Sequence, residues 1–229
     1  MKRIFLVATV VLFAWCAGAQ NVQLHYDLGK DRSYLTSTVE MFKPDKYGST
    51  FFFIDMDYGV GGVEGVSLAY WEIARGLKFW ESPFELHLEY NGGFGQFKAT
   101  PFNGAYQISD AWLFGGNYTW NTADFSKIFT LQAMYKNIRG KNDVSFQLTG
   151  VWTIQMLKNK LTFNGFADFW REDNVFGTQS TDFVFLSEPQ LWYNLNKNFS
   201  VGSEVELSSN FAGHKGFMVN PTVAAKWTF

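Results

Sequence analysis

Acids stand in three strand-like stretches, in two of them at a spacing of two: Asp55 and Asp57 in TFFFIDMDYG, Glu72 in AYWEIARG, and Glu85 and Glu89 with His87 between them in FELHLEY. On a β-strand, residues two apart share a face. Each stretch therefore shows its carboxylates on one side. The other side carries Phe52, Ile54, Met56 and Tyr58, or Trp71 and Ile73, or Phe84, Leu86, Leu88 and Tyr90. Carboxylates gathered this way can favour cations and neutral polyols over anions, and can accept hydrogen bonds from hydroxyl groups. They can equally pair among themselves and with Arg75 to stiffen a wall. Phe51 and Phe53 lie on the acidic face, where they can stack a flat ring. Tyr70 shares the face of Glu72. No catalytic residue is assigned. His25, His87 and His214 are spread over three regions without metal-ligand spacing, and no cofactor or metal is expected. The glycines of Gly59–Gly65 lack the spacing of a phosphate loop and no helix follows, so this segment reads as a surface loop.

The same alternation recurs along the whole chain, in about twelve runs of roughly ten residues separated by turn residues. NVQLHYDL, LTSTVEMF, KIFTLQAMYKN, VSFQLTGVWTI, LTFNGFADFW, VFLSEPQLWYNL and FSVGSEVELS are examples. Their apolar faces are rich in Phe, Tyr and Trp, which make up 19% of the chain, and their other faces carry acids, amides and hydroxyls. A soluble ligand-binding barrel fills its interior with apolar groups. Here the polar face reads as the inner, wet one. The pattern predicts an all-β protein, a closed antiparallel transmembrane β-barrel of about twelve strands, because an open sheet edge in hydrocarbon strands unpaired amides. The inward set is then His25, Asp27, Glu40, Asp55, Asp57, Glu72, Glu85, His87, Glu89, Asp168, Glu188, Glu204 and Glu206, with Lys136 and Lys226 as the few opposing cations. The segments after the fifth and ninth runs read as long outer loops, while PDKYGS, KNK and NKN are short, as expected of the periplasmic side. The chain ends in AAKWTF, an alternating strand closing on Phe229 that resembles the insertion signal of outer-membrane barrels.

Residues 1–19 have the form of a secretory signal peptide: Lys2 and Arg3, an apolar stretch from Ile4 to Trp15, and Ala17-Gly18-Ala19 before the cleavage point. A retained anchor and lipidation of Cys16 are the rival readings, the second opposed by the bulk of Trp15. Residues 20–229 read as one domain. That domain keeps no cysteine, so its stability does not come from disulfides. With Lys2 and Arg3 removed, 17 cations face 21 acids, which excludes nucleic acid as a partner.

One stretch carries a resemblance. TVEMFKPDKYGSTFFFIDMD, through Glu40, Tyr47, Gly48, Phe51, Phe52, Phe53 and Asp55, looks like the second and third strands of the Tsx-like nucleoside-specific channels. AYWEIARGLKF resembles that superfamily's next strand through Tyr70, Glu72 and Ile73, with Arg75 nearby. Ser49 and Ala74 depart from its pattern, which places the chain in a separate branch of the kind described as a domain of unknown function. The resemblance implies a monomeric twelve-stranded barrel with a narrow passage for nucleosides.

The expectation is an outer-membrane diffusion channel of Gram-negative type, with outer-membrane lipid outside and small hydrophilic solutes within, nucleosides leading. Its passage would be lined by Glu40, Phe51, Phe53, Asp55, Asp57, Tyr70, Glu72, Arg75, Glu85, His87 and Glu89. A structural or surface-binding barrel with a plugged lumen is the alternative. An outer-membrane lipid hydrolase is disfavoured, because His87 sits between lipid-facing Leu86 and Leu88 and so points inward.

Overall fold

The computed structural model describes residues 20–141 and 144–229. The signal peptide expected over residues 1–19, and Cys16 within it, lie outside the described residues. The strand segments are β1 (Gln20–Asp27), β2 (Leu35–Asp45), β3 (Gly48–Tyr58), β4 (Val66–Leu77), β5 (Phe84–Phe97), β6 (Gly104–Asn121) and β7 (Lys127–Ile138). They continue as β8 (Ser145–Met156), β9 (Leu161–Phe176), β10 (Gln179–Ser187), β11 (Gln190–Asn194), β12 (Phe199–Ser209) and β13 (Phe217–Thr228).

Every ladder is antiparallel, and β13 pairs with β1 in register from Thr228 opposite Asn21 to Thr222 opposite Asp27, which closes the sheet. The segments β10 and β11 are two halves of one strand. Both pair with β9 and with β12, and the register runs unbroken across Glu188 and Pro189. Pro189 has no N–H to give the ladder. Its carbonyl still accepts from the Val205 amide, and the Glu188 amide donates to the Phe166 carbonyl. Gly165 lies opposite, at φ 151°, and a Cβ there would come within 2.4 Å of the Glu188 carbonyl oxygen, so only glycine fits. The barrel thus has twelve strands, one for each alternating run.

The polar-in, apolar-out alternation holds. On β1, Gln23, His25 and Asp27 are buried while Leu24 is 48% exposed; on β5, His87 and Glu89 are buried while Leu86 and Leu88 are both 44% exposed. Aromatic pairs such as Phe84 with Tyr118 and Tyr90 with Trp112 tie neighbouring strands together on the outer face.

Two expectations need correction. The long outer loops are largely strand. Segments β5 and β6 climb as a ribbon to Phe97 and Gly104, and β9 and β10 to Phe176 and Gln179. Glycines hid the first ribbon's alternation: a Cβ on Gly95 would meet the Tyr106 ring, and one on Gly104 the Phe97 ring. The interior is also not uniformly polar. Ala111, Leu113, Met134, Ile138, Trp170 and Val184 point inward and form a buried apolar cluster inside the barrel, flanked by Leu186 and Phe211. Burying a side chain the size of Leu or Met contributes about 1.5–3 kcal/mol, so this cluster is a substantial part of what holds the wall.

Candidate functional site

The end bearing both chain termini and the short turns is the terminal rim, and the opposite end the far rim. Two inner walls differ. On the β2–β4 wall the inward residues stay partly accessible: Glu40, Phe51, Phe53, Asp55, Asp57, Tyr70 and Glu72. Thr38 donates to Asp55 at 2.5 Å and Thr36 to Asp57 at 2.6 Å, cross-strand pairs set by the β2–β3 register. Tyr70 donates to Glu72 at 2.8 Å. Phe51, Phe53 and Tyr70 form a continuous aromatic strip, with ring centroids 5.9 and 6.0 Å apart. Opposite this wall stands a second set of acids. Glu188, at the break between β10 and β11, is near enough to interact with Glu204 and Glu206 on β12 and, across the lumen, with Asp55 and Glu72. These groups make an acidic belt around an accessible space beside an aromatic strip.

On the β5–β9 wall the inward groups are buried and engaged with one another. His87 Nε2 lies 2.8 Å from Glu89, and the Asn117 amide nitrogen lies 3.0 Å from His87 Nδ1. With Asn117 donating to Nδ1, Nε2 carries the proton that Glu89 accepts. Lys136 donates to Gln147 at 2.7 Å and sits 4.3 Å above the Trp170 ring. Thr149, which accepts from Gln147, donates to Asp168.

The residues assigned to the passage therefore separate. Glu40, Phe51, Phe53, Asp55, Asp57, Tyr70 and Glu72 come together. His87 and Glu89 point inward as expected but are packed away. Glu85 points inward near the terminal rim, where it accepts from Ser49 at 2.7 Å. Arg75 is a correction: it lies on the outer face, bound to Asp45 and Thr50 near the terminal rim. Its spacing of three from Glu72 puts it on the opposite side of β4.

Two residues escaped the sequence reading. Trp192 has the inward parity of Gln190 and Asn194 and is fully buried, with its indole N–H on Gln190, the His25 ring perpendicular to it and Lys226 4.0 Å over its face. Parity alone could have found it. Arg32, on the β1–β2 connection, reaches back into the lumen and binds Asp27 at 3.1 Å and Glu206 at 2.8 Å. Beside it, burial, and then the charge of Asp57, push the Tyr34 phenol above its ordinary range. No local spacing announces Arg32, because its partners are distant in sequence.

The model of the family described as "Domain of unknown function (DUF5020)" matches residues 19–229. Among solved structures, the chain is similar to "NanC porin structure in rhombohedral crystal form", at 10% identity and TM-score 0.58, covering 92% of this chain and 100% of that one. It is also similar to "KdgM porin", at 12% identity and TM-score 0.53, covering 92% of this chain and 99% of that one. At these identities the likeness is one of fold. No curated protein matches the sequence.

Proposed function

We propose that this chain, which belongs to the DUF5020 family, is an outer-membrane channel for small hydrophilic solutes. Its exterior is an apolar belt and its inner wall is polar, which is the partition a barrel in lipid requires. The two porins that share its fold support the same reading. The leader expected at residues 1–19 would export it, and the terminal strand ending at Phe229 would direct its insertion. It acts as a monomer and as a passage, not as an enzyme.

The observation that carries the reading is the aromatic strip of Phe51, Phe53 and Tyr70 beside the carboxylates of Glu40, Asp55 and Glu72 on an accessible inner wall. Carboxylates accept hydrogen bonds from hydroxyl groups and repel anions. The rings offer a face to a flat group. A nucleoside has both features, a base to stack and ribose hydroxyls to donate, and is the candidate solute.

Single-channel recording in a planar bilayer tests this. The folded protein gives small, cation-preferring conductance steps, and a nucleoside blocks them more strongly than a sugar does. Equal block by both leaves a general porin. A second reading rests on the apolar cluster and on Trp192, which fill part of the interior: a structural barrel with a closed lumen. Folded protein without any conductance would leave that reading standing and sink the channel.

A further inference from the structure

Where the lumen meets the terminal rim, on the side of β8, β9, β11, β12 and β13, lies a cavity of about 400 Å³. That is within the size range of small-molecule sites. Gln155, Thr162, Asn196, Lys197, Ser200 and Lys226 line it, and no carboxylate does.

The hydrogen-bond ledger of this lining is one-sided. Gln155 Oε1 accepts from Thr162 at 2.8 Å, and Asn196 Oδ1 accepts from the amides of Asn198 and Phe199, both at 2.9 Å. Ser200 spends its hydroxyl proton on Asn194, whose own amide nitrogen donates to Thr162 at 2.9 Å. These acceptors are consumed within the protein, while the side chains of Asn159 and Thr228, which also line the cavity, keep theirs. Among the described residues, the amide nitrogens of Gln155 and Asn196 and the ammonium of Lys226 have no hydrogen-bond acceptor, and Lys226 has no ion-pair partner. Lys226 lies over the face of Trp192, with the charge of Glu40 near enough to act on it but not paired with it. A cavity with spare amide donors and a fixed ammonium, on a lining that holds no carboxylate, favours an acceptor-rich, negatively charged occupant.

We infer that this vestibule binds a small oxyanionic solute, its phosphate or carboxylate on Lys226 and its remaining oxygens on Gln155 and Asn196. This goes beyond the channel reading. The acidic belt deeper in the lumen favours cations and neutral polyols, whereas the vestibule selects the opposite charge.

Isothermal titration of the folded full-length barrel in detergent tests it, with glycerol 3-phosphate, glycerate and glycerol as ligands. The first two bind saturably and glycerol at least about tenfold more weakly, as expected when a charge-assisted contact is missing. Whether the phosphate or the carboxylate compound binds more tightly identifies the group the site prefers. Lys226→Met weakens anion binding about tenfold, Lys226→Arg retains most of it, and Lys46→Met, in an exposed turn on the same rim, leaves it unchanged. Glycerol binding as well as the anions, or Lys226→Met binding like wild type, overturns the proposal. Should Lys226→Met fail to fold, Gln155→Leu takes its place and must lower anion affinity more than glycerol affinity. Calorimetry reads binding whether or not the lumen conducts, so this result and the bilayer recording stand or fall separately.

Discussion

The β2–β4 wall and the β5–β9 wall are written in the same alphabet and end in different states. Both alternate apolar with polar residues, and both place acids inward. On β3 and β4, Asp55, Asp57 and Glu72 look across accessible space at Glu188, Glu204 and Glu206. On β5, Glu89 is consumed by His87, and the neighbouring strands send in Leu113, Met134 and Trp170 as well as polar groups. A carboxylate's role is thus decided by what the opposite strands contribute, not by its own alternation. One wall is built to be solvated and the other to be packed, and a closed barrel needs the second to hold the shape of the first.

Cavity formation at the centre of the packed wall has the largest expected effect. Leu113 has no exposed surface, and Leu113→Ala should cost about 2–5 kcal/mol. Phe53→Ala on the accessible wall removes a larger side chain but should cost clearly less, because that ring is partly solvated. Urea unfolding in micelles, followed by tryptophan emission, measures both. Equal losses would mean that the two walls are packed alike.

Next comes the partition between inside and outside. Leu86 and Glu85 are adjacent on β5 and face opposite ways. Leu86→Arg turns a charge toward lipid, which costs about 2–4 kcal/mol at the midplane and less toward the rim where Leu86 sits, whereas Glu85→Arg faces water at the mouth. Refolding yield, read from heat-modifiable gel mobility, should fall more for Leu86→Arg. A similar fall for both would reverse or erase the assignment of faces.

A smaller difference is expected for single hydrogen bonds. His87→Ala leaves Glu89 and the Asn117 amide without their partner in a buried site, at about 1–3 kcal/mol. Thr38→Val removes the donor to Asp55, but water in the accessible space can replace it, so the urea midpoint should move less.

The strands were legible because alternation is local. All twelve runs became strands, and even VFLSEPQLWYNL, broken at Pro189, keeps one register. Which face turns inward was legible from the chemistry of the two faces. What escaped depends on residues far apart in the chain. Leu113 and Met134 read as ordinary strand residues until β6 and β7 are placed beside β8 and β9, where they meet Trp170. Arg32 has no local sign of reaching Glu206, 174 residues away. Arg75 is different: its spacing from Glu72 already places it outside, and only its charge and the family resemblance, not its parity, point to the passage. The acids of Glu188 and Glu204 were visible as inward groups, but only closure through β13 brings that wall around to face β3.

The smallest and most selective effect should come from removing charge without removing volume. A carboxylate controls ion flow only where a permeating ion passes close to it, because field is strong next to a fixed charge in a low-dielectric wall and is screened by intervening water and salt. Asp55→Asn with Glu72→Gln neutralises two groups of the accessible wall with little change of shape. The cation-to-anion permeability ratio, read from reversal potentials across a salt gradient, should fall severalfold. Glu89→Gln neutralises a group that is 6% exposed and committed to His87, so the same ratio should hardly move. Any stability loss of Glu89→Gln is separable, because the reversal potential is measured only on protein that has inserted. An equal shift from both variants would place the ion path along the β5–β9 wall. No shift from Asp55→Asn with Glu72→Gln, in a barrel that conducts, would take the belt out of the passage altogether.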